Sequence, residues 1–229
     1  MPNEVKTILP KFDKIHRLIP SHFPPINLFE YVIEPEDLDL IFEIESLTND
    51  RVKQEMGDLA LVPHEDRICG VGSTPIMAAF THICDLKPTR FTDNTHYGVY
   101  YGASSLDTAI EETVYHRERF LSSTNEPDTD ITMRDYINKV AVALHDITGT
   151  GYEDLHTDDY AKPQAFARDM RSQSSNGLLY NSVRNKGGFC VAVFKPKALT
   201  IPIQGGHYSY HWCGKKQKIT NVLKVELVR

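Results

Sequence analysis

The stretch that decides the fold is YGVYYGASSLDTAIEETVYH, residues 97–116. Its apolar and aromatic start, residues 98–101, predicts a strand, and the small residues at 102–105 predict a turn. A helical pattern follows at once, with these residues on one face: Leu106, Ala109, Ile110, Thr113, Val114 and Phe120. A strand that leads into a helix through small residues places side chains where a ligand can reach them.

Two adjacent carboxylates, Glu111 and Glu112, belong to this predicted helix. At roughly 100° per residue, each lies about 130° from the centre of the apolar face, on opposite sides of it. Helical periodicity therefore does not choose between them. At the start of the helix, Ser104 and Asp107 fit the cap and the third residue of a capping pattern.

The composition is ordinary for a globular protein of 229 residues, with 41% hydrophobic and 24% charged residues. The net charge of −6 argues against nucleic-acid binding, which needs a basic surface. We expect no membrane span, since no run of about 18 apolar residues occurs. The N-terminus lacks the apolar segment of a secretory signal. The four cysteines form no CxxC pair, which fits a protein of the reducing cytoplasm.

Charge is unevenly distributed along the chain. Residues 30–50 carry eight acidic side chains and no Lys or Arg, whereas residues 177–229 carry nine Lys or Arg against the single Glu226. One interpretation is two solvated surfaces of opposite sign. The other is that the basic C-terminal third supplies part of an anion site.

Predicted helices and strands alternate without a regular βαβ repeat, which predicts an α+β fold. The proline-rich residues 1–35 predict an extended arm that docks on the body, because they are too apolar for a free tail. Helices are predicted from Glu34 onward, at 49–56, after Ser73 and at 162–173. Strands are predicted at 66–72, 98–101, 140–147, 178–183, 189–194 and over the tail KITNVLKVELV, with a polar loop at 121–135.

Several familiar site patterns are absent or weak. Gly70-Val71-Gly72 lacks the third glycine of a dinucleotide fingerprint, and no P-loop lysine follows it. His207 and His211 are four residues apart, but in an aromatic, strand-like stretch without a neighbouring carboxylate, so we expect no metal site. No GxSxG element occurs, and no cysteine lies in a catalytic signature.

The remaining candidates are Arg67, Arg90, Tyr101, Glu111 or Glu112, and Ser182. Each has an ordinary structural interpretation when taken singly. Together they suit cleavage of an N-glycosidic bond on a nucleotide. Arginine binds a pyrophosphate through its planar fork, and an aromatic ring stacks on a base. A carboxylate stabilises an oxocarbenium-like ribose, and a serine hydroxyl can orient the leaving amide.

Three stretches resemble the RES-domain family, which is named for its Arg, Glu and Ser: DRICGVGSTPIMAAFTH, TRFTDNTHYGVYYGASSLDTAIEETVYH and NGLLYNSVRNKGGFCVAVFKP. Together they cover about residues 60–215. The family's Tyr…Ala-x-x-Glu spacing matches Tyr101, Ala109 and Glu112, which selects Glu112 over Glu111.

The family serine matches Ser182, in a Tyr-x-Ser element before a strand. Two arginines fit the family arginine: Arg67 in the first predicted strand and Arg90 in the Arg-aromatic element before the Tyr strand. The glycine pair that often precedes the second arginine is replaced here by Pro88-Thr89.

The resemblance implies an ADP-ribosyltransferase-like mixed β core with flanking helices at residues 61–229. Residues 1–60 would form a helical and extended N-terminal extension docked on that core. The extension could cover the site, join a homo-oligomer interface or replace part of a partner protein. Studied members of the family are toxins of bacterial toxin–antitoxin pairs, and the usual partner is a helix-turn-helix antitoxin.

The resemblance also implies that NAD is the substrate. Arg67 and Arg90 would hold the dinucleotide, Tyr101 would stack near the nicotinamide, Ser182 would position it, and Glu112 would stabilise the ribosyl transition state. The leading hypothesis is cleavage of the nicotinamide–ribose bond with water or phosphate as acceptor. The alternatives are ADP-ribosylation of a protein and a non-catalytic nucleotide-binding module; an RNA-cleaving toxin is disfavoured by the acidic net charge.

Overall fold

The computed structural model describes residues 5–20, 34, 38, 40, 57–82, 88–93 and 98–226. The helices predicted from Glu34 onward and at 49–56 lie largely or wholly outside the described residues. No helix within the described ranges is long and apolar enough to cross a membrane.

The described part of the chain forms one mixed sheet flanked by helices, and the predicted α+β class is confirmed. The strands are β1 Thr7–Ile8, β2 Ile15–Pro20, β3 Tyr100–Ala103, β4 Thr129–Asn138, β5 Leu144–Asp146, β6 Gly177–Asn181, β7 Phe189–Val193, β8 Ile203–Cys213 and β9 Lys218–Val225. The α-helices are α1 Thr74–Thr81, α2 Leu106–Leu121 and α3 Ala161–Ser172. Short 3₁₀ helices span Leu59–Leu61, His64–Asp66, Glu153–Leu155 and Pro196–Ala198.

The strand order is β1-β5-β6-β7-β3-β2-β4-β8-β9, and only the described pair β5 and β6 runs parallel. Alternate residues of each strand point to opposite faces, because the side-chain period of a strand is two. On β7, Val191 and Val193 pack with α1, whereas Cys190 and Ala192 pack with α2 and α3. We call these sides the α1 face and the α2 face.

The predicted N-terminal arm contributes a strand to the centre of the sheet. β2 pairs antiparallel with β4 along its whole length and with β3 at His16. Ile15 and Leu18 are buried on opposite faces. The division of the chain at residue 60 stays a prediction; β2, which precedes it, is an integral part of the sheet.

As predicted, a strand, β3, leads into a helix, α2. The strand spans Tyr100–Ala103 instead of 98–101, so Gly102 and Ala103 belong to the strand and not to the turn. The helix cap is Ser105, one residue later than the predicted Ser104: its Oγ accepts from the backbone N of Thr108 at 3.2 Å. Ser104 instead accepts from the backbone N of Phe189 at 3.1 Å through its own Oγ. This bond ties the start of the helix to β7.

Three other predicted elements differ from the structure. Residues 66–72 form a 3₁₀ turn and an irregular segment, since Gly70 and Gly72 take φ of +90° and +84°, which strands do not use. The predicted loop at 121–135 contains the start of β4. The buried Asp135 interrupts the alternation of apolar and polar residues that would predict this strand. Of the strand predicted at 140–147, only Leu144–Asp146 form a strand, β5, and Val140 forms an isolated bridge.

Candidate active site

Glu112 lies on the edge of α2 that faces the β6–β7 loop. Its Oε1 accepts a hydrogen bond from Ser182 Oγ at 2.6 Å and another from the backbone N of Val183 at 3.2 Å. Its Oε2 has no hydrogen bond to a described residue. The carboxylate is thus oriented through one oxygen and leaves the other for a ligand.

Glu111, the neighbouring carboxylate, is exposed and makes no hydrogen bond or ion pair within the described residues. The two glutamates that helical periodicity could not separate therefore have different surroundings. Only Glu112 contacts Ser182.

Ser182 is fixed by the tight turn that it starts. Besides donating to Glu112, its Oγ accepts from the backbone N of Arg184 at 3.2 Å and of Asn185 at 2.9 Å. The turn is anchored on α2, because Asn185 Nδ2 donates to Thr108 Oγ1 at 2.9 Å. Gly188 closes the turn so near the helix that a Cβ there would lie 2.4 Å from the same Thr108 oxygen. The close packing of turn against helix holds Ser182 on Glu112.

Tyr101, on the α2 face of β3, holds the loop 88–93 in place. Its hydroxyl lies 2.7 Å from Thr89 Oγ1 and accepts from the backbone N of Phe91 at 3.0 Å. These two residues flank Arg90. Through its hydroxyl, Tyr101 therefore sets the position of Arg90, independently of any ligand that the Tyr101 ring contacts.

Arg90 is 7% exposed and lies against the segment after the Glu153–Leu155 turn. Its Nη1 donates to the backbone oxygens of Leu155, at 3.3 Å, and of Thr157. Its Nη2 lies 3.9 Å from Asp158 Oδ1. The guanidinium carbon is 5.2 Å from the centre of the Tyr160 ring.

Tyr180 connects the glutamate and arginine sides of the site. It is buried, and its ring packs edge-on against Phe91, with centroids 5.0 Å apart. Burial raises the pKa of Tyr180 well above its ordinary value; the negative charge of Glu112 raises it further, and Arg90 opposes the shift. Glu112 and Arg90 therefore act on one buried ring from within the same site.

Cys190 lies beside the glutamate, with its Sγ 3.9 Å from Glu112 Oε1. Burial, followed by the charge of Glu112, raises the pKa of this thiol far above its ordinary value. The thiolate needed for nucleophilic attack is therefore suppressed, and Cys190 serves as a packing residue.

Arg67 lies elsewhere, with the turns before α1. It is 4% exposed and donates through Nε to the backbone oxygen of Val62 at 2.8 Å and through Nη2 to that of Leu59 at 3.2 Å. Its Nη1 lies 3.2 Å from His64 Nδ1. Leu59 and Val62 pack on the α1 face, whereas Glu112 belongs to a helix on the α2 face. The structure thus brings Glu112, Ser182, Tyr101 and Arg90 together and uses Arg67 to hold a backbone segment.

No group of three His, Cys, Asp or Glu side chains suited to a metal ion occurs among the residues described. His207 and His211 are four residues apart on β8, which separates them by roughly 13 Å along the strand. His207 Nε2 accepts from Arg134 Nε at 3.2 Å, and His211 Nδ1 lies 2.7 Å from Asp130 Oδ1. The carboxylate that the sequence did not place beside His211 comes from the neighbouring strand β4.

Two charged residues of the site do not appear among the candidates from sequence. Asp158 and Arg184 form an ion pair beside Arg90. The available signal was the excess of basic residues after residue 177, which includes Arg184. Nothing in the sequence distinguishes Asp158 from the acidic residues around it.

The chain matches the RES domain model over residues 64–213 and therefore belongs to the RES-domain family, as the three matching stretches predicted. It is 28% identical to the uncharacterized protein y4oC of Sinorhizobium fredii (strain NBRC 101917 / NGR234) over 205 residues, 89% of this chain and 85% of that protein. Among solved structures it is similar to a chain in the crystal structure of the M. tuberculosis MbcT–MbcA toxin–antitoxin complex. That match has 12% identity and a TM-score of 0.41, and covers 92% of this chain and 89% of that one.

Proposed function

We propose that this protein cleaves the nicotinamide–ribose bond of NAD, with water or phosphate as the acceptor. The observation that carries the proposal is the Glu112 carboxylate, which two donors orient through Oε1 while Oε2 has no partner among the described residues. An oriented carboxylate with one available oxygen suits the positive charge that develops on a ribose during N-glycosidic cleavage.

In the proposed reaction, the bond between the ribose C1′ and the nicotinamide nitrogen breaks, and its electron pair leaves with nicotinamide. Glu112 stabilises the resulting oxocarbenium-like ribose. A water oxygen then bonds to C1′ and releases a proton, which gives ADP-ribose, nicotinamide and one proton. If phosphate is the acceptor, its oxygen forms the new bond and the product is a phosphate ester of ADP-ribose.

The other residues of the site take binding and positioning roles in this proposal. Arg90 holds the pyrophosphate through Nη2, because Nη1 already donates to the carbonyl oxygens of Leu155 and Thr157. Tyr101 flanks the nicotinamide and fixes the Arg90 loop through its hydroxyl. Ser182 orients the carboxylate of Glu112. Arg67 supports the fold, because it binds the backbone of a segment that packs on the α1 face, whereas Glu112 belongs to a helix on the α2 face.

The experiment is incubation of the purified full-length protein with NAD, with nicotinamide and ADP-ribose followed by chromatography. The proposal predicts nicotinamide release, with a new phosphate ester appearing only if added phosphate is an acceptor. Binding of NAD without any product would favour the nucleotide-binding module. Transfer of label from NAD to a protein, with no free ADP-ribose, would favour ADP-ribosyltransferase activity.

We also propose that the protein is a toxin with an antitoxin partner that blocks this site, on the basis of its membership of the RES-domain family. Expression in bacteria from an inducible promoter should stop growth, together with a fall in cellular NAD. Co-expression of a helix-turn-helix protein encoded next to it should restore both. Growth arrest with unchanged NAD would count against NAD as the target.

A further inference from the structure

Beside the glutamate, one carboxylate oxygen lies between two arginines. Asp158 Oδ1 accepts a hydrogen bond from Arg184 Nη2, and Arg90 Nη2 lies 3.9 Å from the same oxygen. Arg90 comes from the loop 88–93 and Arg184 from the β6–β7 turn, directly after Ser182 and Val183. The three side chains thus meet at the junction of three loops, next to the backbone that binds Glu112.

Three arginines act on the single carboxylate of Asp158, and the Glu112 carboxylate acts on one of them, Arg184. The hydrogen bond from Arg184 lowers the pKa of Asp158, and the charges of Arg184, Arg90 and Arg119 act in the same direction. Arg119 approaches from α2, with its guanidinium carbon 5.9 Å from the Tyr160 ring that Arg90 also contacts. A group with more negative charge than a carboxylate would bind these arginines more favourably.

Arg184 is held in place but has unused hydrogen-bonding capacity. Its guanidinium carbon lies 3.3 Å from the centre of the Tyr115 ring, which fixes the plane of the group. Its Nε is buried and has no hydrogen-bond partner among the residues that the structure describes. A buried donor without a partner costs stability, so a ligand that accepts from both Nε and Nη2 gains more than Asp158 does through Nη2 alone.

Asp158 can leave the arginines without unfolding its segment. Its side chain is 52% exposed, so it can turn into solvent. The backbone of the segment is held separately, because Arg90 Nη1 donates to the carbonyl oxygens of Leu155 and Thr157. Rotation of the Asp158 side chain releases both arginines, while the backbone contacts of its segment to Arg90 remain.

We propose that Asp158 takes the place of a phosphate group between Arg90 and Arg184, and that a ligand carrying a diphosphate displaces it. This inference rests on the proposed function in that the dinucleotide supplies the diphosphate. It adds Arg184 as a second binding residue and Asp158 as a competing internal anion. Only molecules in which Asp158 has left the arginines bind the ligand. The apparent affinity is therefore the intrinsic affinity multiplied by the fraction of such molecules.

The test is the affinity of the full-length protein for inorganic pyrophosphate, measured by calorimetry at fixed salt. Asp158→Asn removes the charge of the competing anion and should tighten binding about three- to tenfold. Arg184→Gln should weaken it by about tenfold or more, since a charge-assisted bond is lost. The matched control is Asp154→Asn, because Asp154 lies on the same segment but pairs with Lys162 at 2.5 Å in an exposed ion pair. That variant should bind pyrophosphate as the unmodified chain does.

Unchanged or weaker pyrophosphate binding in Asp158→Asn would overturn the inference, as would equal tightening in Asp154→Asn, which would indicate a general effect of net charge. Absence of pyrophosphate binding in every variant would also overturn it. The proposed function is tested separately by nicotinamide release. If pyrophosphate binding depends on Asp158 but no nicotinamide is released, the anion site stands and the NAD-cleaving activity fails.

Discussion

Replacing Ser182 with alanine tests whether the orientation of Glu112 matters for the reaction. The substitution removes the 2.6 Å hydrogen bond to Oε1 and leaves the backbone N of Val183 and the weak thiol donor of Cys190 on that oxygen. A hydrogen bond to a charged group contributes about 1.5–3 kcal/mol. If that contribution acts in the transition state, kcat for nicotinamide release falls about 10- to 150-fold.

The effect on stability should be smaller than the effect on rate. Two backbone donors of the turn, from Arg184 and Asn185, also lose their acceptor, but they are half-buried and water can replace it. We expect the free energy of unfolding in urea to fall by about 1 kcal/mol. KM for NAD should change little, because the bond is internal to the protein.

A matched control is Ser104→Ala, which removes a comparable hydroxyl-to-backbone bond near the same end of α2, to the N of Phe189 at 3.1 Å. It should keep kcat within about twofold. Ser182→Thr retains the hydroxyl and should recover most of the rate. If Ser182→Ala and Ser104→Ala have the same kcat, the contact between Ser182 and Glu112 is structural only and the reasoning is refuted.

Three further outcomes follow from the contacts of other residues. Arg67→Ala should lower the free energy of unfolding in urea by about 1–3 kcal/mol, because the buried Val62 carbonyl loses its guanidinium donor and the Leu59 carbonyl keeps only the backbone N of Val62. An unchanged stability with weaker NAD binding would instead place Arg67 in the site. Gly188→Ala should destabilise the chain by about 1–3 kcal/mol through overpacking against Thr108, whereas Gly149→Ala, with open space around it, should not. Burial lowers the pKa of His156 below its ordinary value of 6.5, so the unfolded chain takes up the proton more readily. The free energy of unfolding therefore has its full value above pH 6.5 and falls as the pH falls towards the folded-state pKa of His156, by at most about 1.4 kcal/mol per pH unit. His156→Gln should abolish this part of the pH dependence of unfolding.

The elements that the sequence predicted well have strong local signals. α2, β6 and β7 carry continuous apolar runs or a clear helical face, and their bounds lie within a few residues of prediction. β4 was missed because its pairing with β2 buries Asp135 against His16, at 2.8 Å between Nδ1 and Oδ2. A buried polar pair across strands cannot be recognised before the register is known.

In the site, too, the residues found from the sequence belong to a recognisable spacing, whereas those that were missed depend on contacts between distant segments. The family spacing pointed to Glu112 and Ser182, which are 70 residues apart and in direct contact. Asp158 and Arg184 escaped prediction, because their pairing depends on how the segment after Glu153–Leu155 lies against the β6–β7 turn. Arg67 and Arg90 had equal sequence support, and only their places in the fold distinguish them. Arg67 binds the turns before α1, whereas Arg90 lies in the loop that Tyr101 holds.

The most direct test of the proposed activity compares Glu112→Gln with Glu111→Gln in the nicotinamide-release assay. Both substitutions remove one negative charge from adjacent positions of α2, so they affect net charge and helix propensity alike. Glu112→Gln should lose activity at least about a hundredfold while remaining folded. Glu111→Gln should retain nearly all of it, because that side chain is exposed and unpaired within the described residues. Equal activities of the two variants would contradict the assignment of Glu112 as the residue that stabilises the ribosyl transition state.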